Sequence, residues 1–217
     1  MRSSIRVLVA SSMLAAAVVA TTAAPAQAGG LIVIDHGHVD VVGVAVEDGD
    51  LHLHVHDESV EPGEERAPED VTLRVRPSAR TSVPTDTAYA FLGDAGDPVW
   101  ILPQTQNPDL IWAGLGTEEI DAGVLRADTV NVTFAVLGPG DVAVYTENAF
   151  GLPADILVDT GDGQPDTFAL STGDHLHANW AFEKPGTYRI AVAVTGKLAA
   201  TGRTVADAGL YRFEVKA

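Results

Sequence analysis

Apolar and polar residues alternate along most of the chain with the period of two that marks a half-buried β-strand. Residues 39–46 and 51–56 alternate in this way on either side of Asp48-Gly49, a dipeptide suited to a two-residue hairpin turn. The same pattern predicts strands over 71–76, 88–92, 99–102, 130–137, 142–146, 167–171, 177–182, 187–195 and 210–215. Clusters of Gly, Pro and Asp separate them, at 93–98, 138–141, 159–166 and 184–186. No stretch keeps a helical period over three turns, although 117–122 suits a single helical turn. Short strands at this spacing predict an all-β, Ig-like β-sandwich that is mostly antiparallel. Residues 58–70, rich in Glu, Pro and Gly, read as a solvated loop.

The first 28 residues depart from this pattern. Arg2 and Arg6 precede an uncharged apolar run over 7–20, and Ala26-Gln27-Ala28 follows as a small-x-small cleavage site. These are the three parts of a cleavable export signal, with Gly29 as the expected first mature residue. The run is short for a membrane span. The segment 211–217 reads as a last strand with no apolar tail behind it. The chain is therefore expected to be secreted, as one domain over 29–217 with no membrane span.

Composition narrows the chemistry. The formal charge of −17 argues against nucleic acid and anionic membrane surfaces as partners. There is no cysteine, so neither disulfides nor thiolate ligands enter. The seven histidines all fall in three groups: His36-x-His38, His52-x-His54-x-His56 and His175-x-His177. In a strand, residues two apart share a face, roughly 6 to 7 Å from each other. Two imidazoles so placed can converge on one ion. Asp35, Asp40, Asp57 and Asp174 lie beside them, able to ligate or to orient a ligating ring. Imidazole and carboxylate without thiolate favour zinc, with copper as the alternative.

The expected metal ligands are His38, His54, His56, His175 and His177, supported by Asp40 and Asp57. His36 and His52 are the expected spares. The hairpin sets a condition. If Val46 pairs with Leu51, His52, His54 and His56 face away from the apolar side, and His38 and Asp40 fall on the apolar side unless a bulge intervenes. One site and two sites both remain open at this point. Asp159-Thr-Gly-Asp162-Gly163-x-x-Asp166 has calcium-loop letters, but its spacing fits an ordinary turn better. Trp100, Trp112 and Trp180 read as core or rim packing.

The segment from Gly173 to Phe182, GDHLHANWAF, followed by Pro185-Gly186-Thr187-Tyr188, resembles a domain of actinobacterial surface-anchored proteins, the choice-of-anchor M domain. Gly37-His38-Val39-Asp40 and Leu53-His54-Val55-His56-Asp57 resemble its N-terminal part. Residues 102–108 with Trp112 and Gly114 resemble its middle. The resemblance implies a secreted or wall-attached domain, often encoded near an ABC transporter of the metal-uptake type, whose substrate-binding protein would be a partner. It lends metal handling an associative support only. Three functions follow as expectations. The first is a non-enzymatic protein that captures or delivers metal outside the membrane. The second is a copper/zinc enzyme of superoxide-dismutase or cupin type. The third is a structural Ig-like surface module without metal.

Overall fold

The computed structural model describes residues 31–217; the expected export segment and its cleavage point lie outside the described residues. Strands dominate: β1 (Ile32–Ile34), β2 (Gly37–Glu47), β3 (Asp50–Asp57), β4 (Glu64–Arg66), β5 (Val71–Val75), β6 (Arg80–Ser82), β7 (Pro98–Leu102) and β8 (Ile111–Gly116) in the first half. The second half holds β9 (Thr129–Leu137), β10 (Val142–Glu147), β11 (Pro153–Asp159), β12 (Asp166–Ser171), β13 (His175–His177), β14 (Asn179–Phe182), β15 (Gly186–Lys197) and β16 (Thr204–Val215). Short 3-10 helices are the only helices among the described residues. None is long and apolar enough to cross a membrane.

The strands form three sheets, ordered β1-β5-β16-β15-β9-β12, β11-β10-β14-β7-β6 and β13-β8-β2-β3-β4. Pairing is antiparallel except where β5 lies between β1 and β16 and where β2 meets β8. The fold is all-β and sandwich-like, as the alternation predicts.

The six-stranded sheet is one-sided. In β15, Tyr188, Ile190, Val192 and Val194 are buried while Thr187, Arg189, Ala191 and Thr195 are exposed. Tyr188 and Ile190 pair with Phe213 and Tyr211 of β16, which bury the same face. Trp180 and Phe182 of the second sheet pack on Phe213, with ring centroids 5.6 and 5.2 Å away. Leu51 and Leu53 of the third sheet approach Gly196 and Gly209. A Cβ at Gly209 would lie 2.9 Å from Leu53 Cδ2, so the close approach requires glycine. One apolar core thus joins all three sheets. Burial of a side chain the size of Leu53 contributes roughly 2 kcal/mol.

The hairpin forms as read. Glu47 pairs with Asp50 and Val46 with Leu51. Asp48 and Gly49 both take left-handed backbone, φ 48° and 83°, the geometry of the tight turn that matches strand twist.

Three expectations are corrected. Residues 88–92 are part of a 3-10 helix, Thr87–Leu92, not a strand. Asp86 accepts a hydrogen bond from Ala88 N, and Tyr89 and Leu92, three apart, are both buried against Tyr145 and Ala181. Residues 177–182 are not one strand: β13 belongs to the third sheet and β14 to the second. The solvated loop over 58–70 contains β4, which pairs with β3. Strands β8 and β11 were not expected. β8 carries two glycines, and β11 is largely exposed, so neither shows clean alternation.

Candidate metal centre

The third sheet carries six of the seven histidines, all but His36, on the face opposite the core. Across it, His175 pairs with Gly116 and His177 with Gly114; Asp40 pairs with Gly114 on the other side. On β3, His56 pairs with Asp40, His54 with Gly43 and His52 with Ala45.

A bulge makes this face continuous. Two steps along β3, from His56 to His54, match three along β2, from Asp40 to Gly43. One extra residue in β2 reverses the facing of everything before it. Val39, Val41, Val42 and Val44 are therefore all buried, while His38 and Asp40 join His54 and His56 on the polar face. The doubled valine at 41–42 is the bulge's mark in the sequence.

Glycines open the centre of this face. β13 and β2 flank β8, so their backbones are about 9 to 10 Å apart at ordinary strand spacing. Gly114 and Gly116 leave the surface of β8 bare, and the imidazoles of β13 reach across it to β2. A Cβ at Gly114 would fall within 2.0 Å of Asp40 Oδ1 and 3.2 Å of His177 Cε1. His54 likewise lies over Gly43, where a Cβ would be 2.5 Å from its Nε2.

His38, Asp40, His175 and His177 form one group whose donor atoms lie within 4.8 Å of one another and could hold a metal ion. His38 Nε2 is 3.2 Å from His175 Nε2. Asp40 Oδ1 is 2.9 Å from His175 Nε2 and 3.6 Å from His38 Nε2. Asp40 is buried, and its Oδ1 makes no hydrogen bond. Both ring nitrogens of His177 are likewise buried without a hydrogen bond.

Carboxylates stand behind two of the rings. His38 Nδ1 is 2.5 Å from Glu58 Oε2, and His175 Nδ1 is 3.2 Å from Glu118 Oε2. The Nδ1–H of His38 donates to Glu58, and the Glu118 carboxylate stands beside His175 Nδ1; an imidazole held through Nδ1 has its Nε2 left for a metal ion. His38 Nε2 and His175 Nε2 lie within hydrogen-bond distance of each other, with Asp40 Oδ1 beside them, so three ligand atoms converge where a cation could be held. The hydrogen bond from His38 holds Glu58 below the usual carboxylate range. Burial pushes Asp40 upward, opposed by His175 and His38. Burial also pushes His177 down to about 4, with His175 and His38 adding to the effect, so its lone pair is free at neutral pH.

The rest of the framework fixes these rings. The indole of Trp112 stacks on His177, centroids 3.6 Å apart and planes within 6°. Trp112 Nε1 donates to Gln104 O at 2.8 Å, and Gln104 N donates to Asn179 Oδ1 at 2.9 Å. Thr117, fully buried, donates from Oγ1 to Ser171 O and accepts from Asp174 N at 3.0 Å. It thereby ties the loop before His175 to the end of β8.

The other expected residues lie elsewhere. His54 and His56 form a separate group with Glu119, and His52 and His54 with Glu65. Asp57 is buried and committed to Arg66, whose Nε is 2.7 Å from its Oδ2, and to Ser59. Its burial puts it on the core-facing side of β3, beside Val55. His36 is exposed and pairs with Asp35, which also accepts from Arg76. The carboxylates of Asp159, Asp162 and Asp166 accept from the backbone of Gly161, Gln164 and Asp159, as turn residues do.

Glu58, Glu118, Glu119, Gly114 and Trp112 were missed as site residues. Glu58 stood in an assumed solvated loop and Glu118 and Glu119 in an assumed helical turn. The available signal was the need of every ligating imidazole for an outer acceptor. Comparison of the chain with known protein-family models and with curated proteins yields no match.

Proposed function

We propose that this is a secreted zinc-binding protein that holds one ion on His38, Asp40, His175 and His177 and serves metal capture or delivery outside the membrane. The observation that carries the reading is the convergence of His38 Nε2 and His175 Nε2, 3.2 Å apart, on the buried Asp40 Oδ1, with a ring nitrogen of His177 within the same 4.8 Å group. Glu58 accepts from His38 Nδ1 and Glu118 stands beside His175 Nδ1, which leaves each Nε2 toward the ion. Three imidazoles and one carboxylate fill the four positions zinc usually takes. A full protein shell suits holding and release, whereas a hydrolytic zinc site keeps one position for water. That donor count favours a binding role over an enzyme. A carboxylate and no thiolate also suit zinc better than Cu(I).

The motif resemblance to the actinobacterial surface-anchored domain supports delivery to a metal-type ABC transporter and its substrate-binding protein as the destination. The net charge of −17 would concentrate cations around such a carrier.

The test is metal analysis of the purified protein after dialysis against a zinc buffer, beside the His175→Ala/His177→Ala double variant. The wild type should retain zinc that the variant loses, with far-UV circular dichroism unchanged. A redox assay on copper-loaded protein examines the enzyme alternative. Wild-type protein that retains no zinc, or a double variant that binds as tightly, would reject the proposal.

A further inference from the structure

Beyond the first group, the same polar face holds a buried histidine that nothing satisfies. His54 is 1% exposed, and neither ring nitrogen makes a hydrogen bond. A buried imidazole that makes no hydrogen bond gives up its hydration with only a nearby charge to offset the loss. Its Nε2 lies 3.2 Å from Glu119 Oε1, and His56 Nδ1 is 3.9 Å from the same oxygen. The three donors converge within 4.8 Å. They line a cleft of about 300 Å³ together with Gly43, Gly116, Glu65 and Glu118, and Asp40 forms part of its wall.

We propose that His54, His56 and Glu119 form a second site for a divalent transition-metal ion, distinct from the first and open to the cleft. The donor set selects the ion class: two imidazoles and one carboxylate suit zinc or copper and are too nitrogen-rich for calcium or magnesium. With three protein ligands, the ion keeps a position for water. His56 and Glu119 are partly exposed, at 34% and 41% of their side chains, so ligands can exchange there. The second site is therefore weaker and faster than the first.

The two sites are adjacent but use different atoms. Glu58 lies between them, its Oε2 on His38 and its Oε1 3.8 Å from His56 Nε2. Asp40 gives Oδ1 to the first group, while its Oδ2 lies 3.4 Å from where a Cβ on Gly116 would stand, beside the cleft. An ion in the cleft thus stands next to the first site's buried carboxylate. The second site stands on His54 whether or not the first reading holds.

The test is titration of the metal-free protein with zinc against a chromophoric chelator, together with the histidine ring signals in long-range ¹H–¹⁵N spectra. Wild-type protein should bind two equivalents, the second at least about tenfold more weakly, as expected for one fewer ligand. His56→Gln with Glu119→Gln, both outside the first group and partly exposed, should lose the weaker equivalent and keep the tighter one. His38→Ala with His175→Ala should lose the tighter one and keep the weaker, with zinc still shifting the His54 ring signals. A single equivalent in the wild type, or two equivalents retained by His56→Gln/Glu119→Gln, overturns the proposal. Retention of the tighter equivalent by His38→Ala/His175→Ala overturns the first assignment instead.

Discussion

Gly114→Ala tests the centre without removing a ligand. The added Cβ would stand 2.0 Å from Asp40 Oδ1, closer than real Cβ atoms come to any heavy atom, and 3.2 Å from His177 Cε1. The backbone of β8 is extended there and paired on both sides, to His177 and to Asp40, so it cannot shift to make room. Asp40 must rotate away. The site then keeps three imidazoles and loses its only anionic donor. Loss of a ligand's position should weaken zinc binding by about 10- to 100-fold, or roughly 1.4 to 2.7 kcal/mol. Gly116→Ala is the internal control. Its Cβ would meet Asp40 Oδ2 at 3.4 Å, an ordinary contact, and binding should change by less than about threefold, under roughly 1 kcal/mol. Overpacking costs about 1 to 3 kcal/mol of stability, so each variant is first melted without metal to establish that it folds. Affinity is then read by competition with a zinc chelator. If Gly114→Ala binds as the wild type does, or if Gly116→Ala loses zinc and Gly114→Ala does not, the placement of Asp40 at the centre is refuted.

Further outcomes follow from the same geometry. Zinc at a hundred times its Kd should stabilise the fold by about 2.7 kcal/mol at pH 7.5, and by much less at pH 5, where protons compete for the imidazoles; equal shifts in melting temperature at both pH values would indicate binding by surface carboxylates. Without metal, His177 titrates near 4 in the fold against 6.5 when free, so unfolding takes up a proton between those values. Its contribution to stability is complete above about pH 6.5 and is lost as pH falls toward about 4; denaturant melts of His177→Gln should show a shallower decline over that window. Trp112 stacks on His177, so Cu(II) should quench its fluorescence, and a quench that survives in Trp112→Phe would place the copper elsewhere. Asp57→Asn breaks a buried pair with Arg66 and should cost about 3 kcal/mol in a chemical melt, with zinc affinity unchanged; loss of affinity would return Asp57 to the site.

The strands that bury one face were legible because alternation reports one-sided burial directly: β9, β15 and the hairpin of β2 and β3 stand close to where the pattern puts them. β8 was not, since Gly114 and Gly116 serve the site by having no side chain and so break the alternation. The stretch around His177 read as one strand because Ala178, Trp180 and Phe182 keep the period of two across the point where the chain passes from one sheet to another. Histidine clustering indicated His38, Asp40, His175 and His177 as ligand candidates. Their common facing depended on a bulge that the doubled Val41-Val42 implies but does not locate. Asp57 was grouped with its histidine neighbours by sequence, yet period two puts it on the other face from His54 and His56. Glu118 and Glu119 follow β8, a strand not foreseen, so their place beside His175 and His54 depends on tertiary structure that local pattern cannot supply.

The central claim concerns an ion held by four particular side chains, and anomalous diffraction locates such an ion directly. Crystals of the protein grown with zinc should give, above the zinc edge and not below it, a peak about 2 Å from His38 Nε2, His175 Nε2, Asp40 Oδ1 and a ring nitrogen of His177. Fully zinc-saturated crystals with no anomalous density among these four residues would contradict the account.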